Sequence, residues 1–312
     1  LQGNVVDLCP VGALTSKPYA FTARPWELGK TQSIDVMDAV GSAIRIDTRG
    51  REVMRILPRT NDDVNEEWIS DKTRHVVDGL RTQRLDQPYI RENGRLRPAS
   101  WSEAFAKIAE ATRPLTGGQI GAIVGDLASA EEMYALKALM GAMRVTNIDA
   151  RQDGSAIDPK WGRASYLFNS TIAGIDKADA LLIVGSNPRR EAAVLNARIR
   201  KRWRNGGFPI ALIGEKADLT YPYDYIGAGP DSLASFAKSK HSDAFNKAER
   251  PLMLVGAGAY ARPDGGAIAA LAANVAGEFG FISKDWNGFS VLHSAASRVA
   301  ALDLGFVPGP AG

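Results

Sequence analysis

The sequence predicts an α/β protein in which a small, irregular β-containing subdomain is followed by a doubly wound, mostly parallel α/β domain. From about residue 98, short apolar runs that end in glycine alternate with helical stretches, as in proteins with a parallel sheet. These runs are apolar on both faces, which suits strands buried between two layers of helices. Before residue 98 the chain is irregular and punctuated by prolines. We therefore expect three regions, residues 1–33, 34–97 and 98–312.

Composition and charge narrow the classes of function. Hydrophobic residues make up 45% and charged residues 23% of the chain, as in ordinary globular proteins. The net charge of only +3 gives no reason to expect a nucleic-acid partner. No apolar run approaches the roughly 20 residues that cross a bilayer, so we expect no direct membrane insertion. The start at Leu1 and the loop-like end at 308–312 predict a piece of a longer protein.

The first two regions carry few regular signals. Residues 1–33 lack periodicity and contain three prolines, which predicts an extended loop packed on other structure. Two alternating runs, 43–46 and 52–57, flank a polar turn that contains Gly50, and this pattern predicts a β-hairpin. The charged segment 59–97 is expected to be irregular.

Four apolar runs predict the strands of the larger region. They are residues 120–125, 180–185, 210–214 and 252–256. Ser129 and Glu132 form a capping-box pattern, which predicts a helix that starts at Ser129. A second helix is expected over about 190–205, ending at Gly206 and Gly207, and a third over 264–276.

A glycine-rich stretch follows the fourth run. Residues 256–261 match GxGxxA, which is found at dinucleotide-binding turns and also at plain strand-to-helix turns. Because residues 263–266 read Pro-Asp-Gly-Gly, we expect that no helix begins directly at these glycines. The pattern therefore favours a plain turn.

Two further groups of polar residues suggest little chemistry on their own. The basic residues between 189 and 204 are Arg189, Arg190, Arg198, Arg200, Lys201, Arg202 and Arg204. They predict a solvated face of a half-buried helix, and an acidic partner surface is the alternative. The histidines His75, His241 and His293 lack the spacing of a zinc site.

Cys9 is the only cysteine and is followed by Pro10. A lone cysteine is usually a small buried apolar residue, which is one interpretation here. The other is that Cys-Pro closes an iron–sulfur binding segment, as in ferredoxin-like runs. A [4Fe–4S] cluster needs one ligand for each iron, so the remaining ligands would then lie upstream of Leu1.

Several longer segments resemble the large iron–sulfur subunit family of NADH:quinone oxidoreductase, respiratory complex I. The resemblance covers residues 4–17, 19–28, 64–74, 286–289, 291–293 and 302–309. It implies that Cys9 is the fourth ligand of a [4Fe–4S] cluster. It also implies that the other ligands, a further [4Fe–4S] cluster and a [2Fe–2S] cluster belong to an N-terminal part. This family is related to molybdopterin oxidoreductases, so residues 98–312 are expected to have a fold of that type, truncated.

The sequence departs from the molybdopterin family where a further cluster would be bound. Aligned by eye, the four cysteine positions of that family are occupied by Asp35, Asp38, Ser42 and Ser70. Iron–sulfur clusters are held by soft thiolates, and these residues offer hard oxygen donors. We therefore predict that residues 34–97 hold no cluster and that Lys72, which follows this site, forms a salt bridge.

The resemblance also implies a function. We expect an electron-transfer subunit that passes electrons from NADH and flavin through iron–sulfur clusters toward quinone and is not catalytic alone. Its partners would be other peripheral-arm subunits, including the flavin-bearing one. They form a peripheral membrane complex on the matrix side of the mitochondrial inner membrane or the cytoplasmic side of a bacterial one. An active molybdopterin-dependent oxidoreductase and a purely structural scaffold are the alternatives. No molybdopterin is expected, because no cysteine is available to bind molybdenum apart from Cys9.

Overall fold

A computed structural model describes residues 1–308 as strands and helices in four sheets. The strands are β1 (Gly29–Ile34), β2 (Ala43–Arg49), β3 (Glu52–Pro58), β4 (Tyr89–Glu92), β5 (Arg95–Pro98), β6 (Gly121–Ile123), β7 (Asn147–Asp149), β8 (Ala180–Val184), β9 (Ile210–Ile213), β10 (Asp224–Gly227), β11 (Pro251–Gly256) and β12 (Phe289–Leu292). The helices are α1 (Asn4–Leu8), α2 (Asp71–His75), α3 (Trp101–Thr112), α4 (Ala130–Ala142), α5 (Pro188–Glu191), α6 (Ala193–Arg204), α7 (Pro230–Ala234), α8 (Ser242–Asn246), α9 (Ala257–Tyr260), α10 (Gly265–Glu278) and α11 (Arg298–Asp303). Short 3-10 helices, such as Val76–Leu80, lie between them. None of the helices within residues 1–308 combines the length and the apolar character that a membrane span requires.

The small subdomain is built on a three-stranded antiparallel sheet in the order β1-β2-β3. The predicted hairpin is confirmed as β2 and β3, and Gly50 in its turn has a φ of +60°. The prediction of a loop over residues 1–33 is wrong in two places, because α1 and most of β1 lie there. β1 is largely exposed and polar, so its pairing with β2 leaves no alternating pattern in the sequence.

The larger region contains a five-stranded parallel sheet in the order β10-β9-β8-β11-β12. The chain runs outward from β8 to β10 and then returns to place β11 on the other side of β8. This is the strand order of a doubly wound sheet, and the predicted fold class is confirmed. Strands β8, β9, β11 and β12 are buried along their whole length, and hydrophobic clusters cover both faces of the sheet.

One of the four predicted strands lies outside the five-stranded sheet. The run 120–125 forms β6, which pairs with β7 in a separate two-stranded parallel sheet. β6 has only three residues, and Ile123 is 71% exposed, so this strand does not reach the main core. The helix predicted after it is confirmed as α4, with Ser129 and Glu132 capping each other. Within α4, Met133 and Met140 are buried and Leu139 is exposed.

The turn after β11 differs from the prediction. A four-residue helix, α9, begins immediately at Ala257, with Gly256 as its N-cap. A Cβ atom at Gly256 would lie 2.8 Å from Cβ of Ser186 and closer still to the carbonyl oxygen of Gly185. The glycine therefore lets the ends of β8 and β11 approach each other, and the chain can turn into α9 at once.

The subdomain packs against the parallel sheet. Val40 is buried among Leu195, Ile175 and Leu292 in the core cluster on one face of that sheet. Lys201 on α6 also pairs with Glu66 of the subdomain. These contacts fix the position of residues 35–75 relative to the larger region.

Candidate functional site

Cys9 lies at the C-terminal end of α1, where the chain turns. Hydrogen bonding from backbone amides of the following turn, that of Leu14 first and then those of Val11, Ala13 and Gly12, outweighs desolvation and lowers the pKa of the Cys9 thiol below its ordinary value. A thiolate stabilised in this way is suited to metal binding, since the thiolate is the metal-ligating form.

The segment that carries Cys9 is attached to the subdomain through its first residues. Nδ2 of Asn4 donates to the carbonyl oxygen of Ile69 at 2.8 Å, and the amide of Ile69 donates to Oδ1 of Asn4 at 3.1 Å. The guanidinium of Arg74 donates to both carboxylate oxygens of Asp7, at 3.1 and 2.7 Å. Helix α2 therefore holds α1 in place, and Cys9 follows α1 directly.

A cavity of about 440 Å³ adjoins this site. Cys9, Asp7, Arg74 and His75 line one part of it, and Phe21 is a fully exposed apolar side chain at its border. A thiol that has a lowered pKa and faces a cavity is compatible with one corner of an iron–sulfur cluster. Cys9 is the only cysteine of the chain, so one thiolate is all that the chain offers to such a cluster.

The four positions predicted to have lost their cysteines form a buried polar cluster. Oγ1 of Thr73 donates to Oδ2 of Asp35 at 2.7 Å and lies 2.8 Å from Oγ of Ser70. Asp38 and Ser42 are buried beside them, at 3% and 1% exposure. The side chains of Asp35, Thr73 and Ser70 are thus connected by hydrogen bonds. Within residues 1–308, no group of three or more His, Cys, Asp or Glu residues is arranged to hold a metal ion.

In this buried polar cluster the carboxyl group of Asp38 has a shifted pKa. Burial raises the pKa of Asp38 above its ordinary value, and the nearby carboxylate of Asp35 adds to the effect. The amide of Val40 and the charge of Lys72 act in the opposite direction. The predicted salt bridge of Lys72 is wrong: in the described part of the chain no carboxylate lies within 4.0 Å of its amine. The side chain of Lys72 is exposed to solvent.

A second cavity, of about 430 Å³, lies at the carboxyl ends of β8, β9 and β11, where the strand order reverses. Oγ of Ser186 donates to Glu191 at 2.9 Å, and the amide of Asn187 donates to the same carboxylate at 2.7 Å. Glu215 also lines the cavity, while Arg262 pairs with an aspartate two residues farther along the chain. Carboxylates thus occupy the hydroxyl of Ser186, the amide of Asn187 and the guanidinium of Arg262, and Glu191 and Glu215 bring negative charge to the cavity, so this lining does not fit an anionic pterin nucleotide.

Most of the basic run makes contacts within the chain. Arg198 pairs with Asp176 at 2.6 Å and is buried, and Arg189 pairs with Asp218. Lys201 bonds to the subdomain, and Arg202 donates to two carbonyl oxygens. The predicted solvated face of a half-buried helix is confirmed for the exposed members Arg189, Arg190, Arg200, Lys201 and Arg204, and it is wrong for Arg198, which is buried. Three members have no carboxylate within 4.0 Å in residues 1–308, namely Arg190, Arg200 and Arg204.

The histidines are separated in space as they are in sequence. Nε2 of His293 is 2.7 Å from the carbonyl oxygen of Tyr166, and burial lowers the pKa of His293. His241 lies 3.0 Å from Asp224, and His75 lines the cavity at Cys9. Sequence reasoning did not find Asn4 and Arg74, because their partners lie far away along the chain and no local pattern marks them.

Comparison with known proteins places the chain in a defined family. Residues 84–312 match the family described as "Molybdopterin oxidoreductase". Residues 28–78 match "NADH-ubiquinone oxidoreductase NDSU1/NuoG-like, 4Fe-4S domain". The second match contains no cysteine, since Cys9 lies outside it. The resemblance to iron–sulfur proteins of this kind and the type of α/β fold are thus confirmed.

Individual relatives are similar along almost all of the chain. It is 46% identical to the "NADH-ubiquinone oxidoreductase 78 kDa subunit, mitochondrial" of Neurospora crassa, over 98% of this chain and 42% of the relative. It is 47% identical to a subunit of NADH-quinone oxidoreductase from Rickettsia bellii, over 98% of this chain and 45% of the relative. It is 47% identical to an iron–sulfur protein of NADH dehydrogenase from Solanum tuberosum, over 99% of this chain and 42% of the relative. The chain thus spans less than half the length of these relatives.

Proposed function

Because the chain belongs to the molybdopterin oxidoreductase family, and to the branch that resembles complex I subunits, we propose that it is part of an electron-transfer subunit. The subunit passes electrons from NADH and flavin through iron–sulfur clusters toward quinone. The observation that carries this proposal is the position of the Cys9 thiol, which follows α1 directly and lines a cavity together with Asp7 and Arg74. The similarity to subunits named for NADH oxidoreductases supports it.

Cys9 is the one cluster ligand that we assign to this chain. When bound, a [4Fe–4S] cluster supplies a centre that accepts and releases single electrons. The residues of this chain hold the thiolate: the amides lower its pKa, and Asn4 fixes the segment on the subdomain. The remaining ligands, a further [4Fe–4S] cluster and a [2Fe–2S] cluster are assigned to the longer protein.

The regions of the chain have different tasks in this proposal. Residues 1–33 close the iron–sulfur region, and residues 34–97 form a subdomain that has lost its cluster ligands. Residues 98–312 serve as a scaffold of the molybdopterin-oxidoreductase type without molybdopterin, since Glu191 occupies the donors at the carboxyl end of β8. The chain alone is not catalytic.

The subunit works within an assembly in this proposal. Its partners are other peripheral-arm subunits of complex I, including the flavin-bearing subunit that oxidises NADH. The complex is peripheral to the mitochondrial inner membrane on the matrix side, or to the bacterial inner membrane on the cytoplasmic side.

The test is Cys9→Ala in the full-length subunit of an assembled complex. We expect the loss of one [4Fe–4S] signal in electron paramagnetic resonance, together with a lower iron content. Thr15→Ala is the matched control, because Thr15 lines the same cavity but is not assigned as a ligand. An unchanged set of cluster signals in the Cys9→Ala complex would remove Cys9 from the ligands. Molybdenum near one atom per chain would instead favour an active molybdopterin enzyme.

A further inference from the structure

We propose that Arg74 is a positioning residue for Cys9, which fixes the cluster-binding segment on α2 and offsets the negative charge of Asp7 beside the cluster. The proposal rests on the proposed function, since it assumes a cluster at Cys9. Nothing in the sequence pattern marks Arg74, which contacts the segment only through the fold.

The side-chain hydrogen bonds of Arg74 all go to the segment that leads to Cys9. Nη1 and Nη2 donate to the two oxygens of Asp7 at 3.1 and 2.7 Å, and Nη2 also donates to Oδ1 of Asn4 at 3.0 Å. Asn4 in turn holds the backbone of Ile69. One guanidinium therefore joins both ends of α1 to the subdomain, and only Leu8 separates Asp7 from Cys9.

The site is shaped for an arginine. The side chain of Arg74 is only 7% exposed, and its Nε lies 3.7 Å from Oδ1 of Asp71. A Cβ atom at Gly3 would lie 2.7 Å from Cδ of Arg74, so the helix α1 can approach the arginine only because residue 3 is a glycine. The planar fork of arginine matches a carboxylate in a way that lysine cannot.

Helix α2, which carries Arg74, also makes hydrogen bonds to the buried polar cluster of the subdomain. Ser70 caps the helix by accepting from the amide of Thr73 at 3.1 Å, and the hydroxyl of Thr73 donates to the buried Asp35. The buried polar cluster occupies the positions at which the molybdopterin family has cysteines. It therefore anchors the helix that carries Arg74. Because α2 is anchored in this way, Arg74 has a defined position, and its hydrogen bonds to Asn4 and Asp7 determine where the Cys9 segment lies.

The same contacts place two opposite charges beside the proposed cluster. Arg74 and Asp7 line the cavity at Cys9. The reduction potential of an iron–sulfur cluster depends on nearby charge and on the hydrogen bonds that orient its ligands. Removal of Arg74 would leave the carboxylate of Asp7 uncompensated and lower the potential. Removal of the charge of Asp7 would leave the guanidinium with only the carboxylate of Asp71, at 3.7 Å from its Nε, and would raise the potential.

The experiment compares Arg74→Met, Arg74→Lys and Asp7→Asn in the full-length subunit of the assembled complex. The measurements are the spectrum and the midpoint potential of the cluster signal that Cys9→Ala removes. Arg81→Met is the control, because Arg81 is an exposed arginine that pairs with Glu52 away from the cavity. We expect a lower potential in Arg74→Met and a higher one in Asp7→Asn. We expect a broadened signal with nearly unchanged potential in Arg74→Lys, and no change in the control.

Shifts of opposite sign are the decisive result, because a loss of stability alone would not raise the potential in one variant and lower it in the other. If Arg74→Met fails to assemble, the comparison of Arg74→Lys with Asp7→Asn decides: a broadened signal and a raised potential support the proposal. Unchanged spectra and potentials in both would overturn it while Cys9 remains a ligand. A cluster signal that persists in Cys9→Ala would overturn the proposed function as well.

Discussion

Asn4 and Ile69, which are 65 residues apart in the sequence, exchange two hydrogen bonds: the carboxamide of Asn4 both donates to and accepts from the backbone of Ile69. Asn4 is 5% exposed, and Ile69 is fully buried. The pairing satisfies two backbone groups that water cannot reach. It also sets where the chain enters the turn at Cys9.

This pairing predicts that Asn4→Ala loosens the Cys9 segment. The variant leaves the buried amide and carbonyl of Ile69 without partners, at a cost of about 2 kcal/mol. Hydrogen exchange of the Ile69 amide in the full-length subunit measures the effect, and we expect faster exchange in the variant. Gln2→Ala is the control, since the side chain of Gln2 is exposed. Equal exchange in both variants would show that Asn4 does not hold this backbone.

The buried carboxyl of Asp38 predicts a dependence of stability on pH. Because burial raises its pKa in the folded state, Asp38 contributes stability below pH 3.8, its ordinary value. That contribution is lost as the pH rises through the raised pKa. Asp38→Asn should therefore increase the free energy of unfolding near neutral pH, with the gain vanishing below pH 3.8.

Denaturation of the full-length subunit at a series of pH values tests this. The asparagine keeps an oxygen to accept from the amide of Val40, as Asp38 does at 2.9 Å. Asp35→Asn is the contrasting variant, because Asp35 accepts from the hydroxyl of Thr73 and the amide of Met37 and should lose stability. A gain from Asp38→Asn that does not vary with pH would contradict the assignment.

The two glycines of the stretch after β11 should respond differently to the same substitution. Gly256→Ala places a methyl group 2.8 Å from Cβ of Ser186, and we expect a loss of about 1–3 kcal/mol from the crowding. Gly258→Ala meets no atom nearer than 4.0 Å and should change stability by less than about 0.5 kcal/mol. Thermal unfolding of the two variants gives the comparison. Similar losses in both would mean that Gly256 is not needed for the approach of β8 and β11.

The proposed assembly predicts that α6 takes part in a subunit contact through Arg200 and Arg204, which have no carboxylate partner among residues 1–308. Charge reversal by Arg200→Glu together with Arg204→Glu should lower the fraction of subunit found in the complex. The circular dichroism spectrum and the cluster signals of the complex that still forms should remain normal. Arg198→Met is the contrasting variant, because Arg198 is buried against Asp176 and its loss should destabilise the subunit itself. Normal incorporation of the double variant would leave Arg200 and Arg204 as solvated charges.

Regular elements were predictable where the pattern is local. The alternation in 43–57 and the capping box at Ser129 each lie within a few residues, and both are confirmed. The strand β1 and the helix α9 were missed, because β1 depends on pairing with β2 and α9 on the close approach allowed by Gly256. The contacts of the basic run also escaped prediction, since the carboxylates that meet Arg198 and Lys201 come from other parts of the chain.

The sequence by itself determined the fold class and the family, because buried strands and long family segments leave continuous signals along the chain. It also singled out Cys9, the only thiol. Only the tertiary structure decided what surrounds that thiol: Asn4 and Arg74 bond to residues 65 to 70 positions away, and Glu191 covers the donors at the switch point of the sheet. Such contacts depend on how elements that are distant in sequence pack together. Because a pair of side chains far apart along the chain produces no periodic pattern, a single sequence does not reveal it.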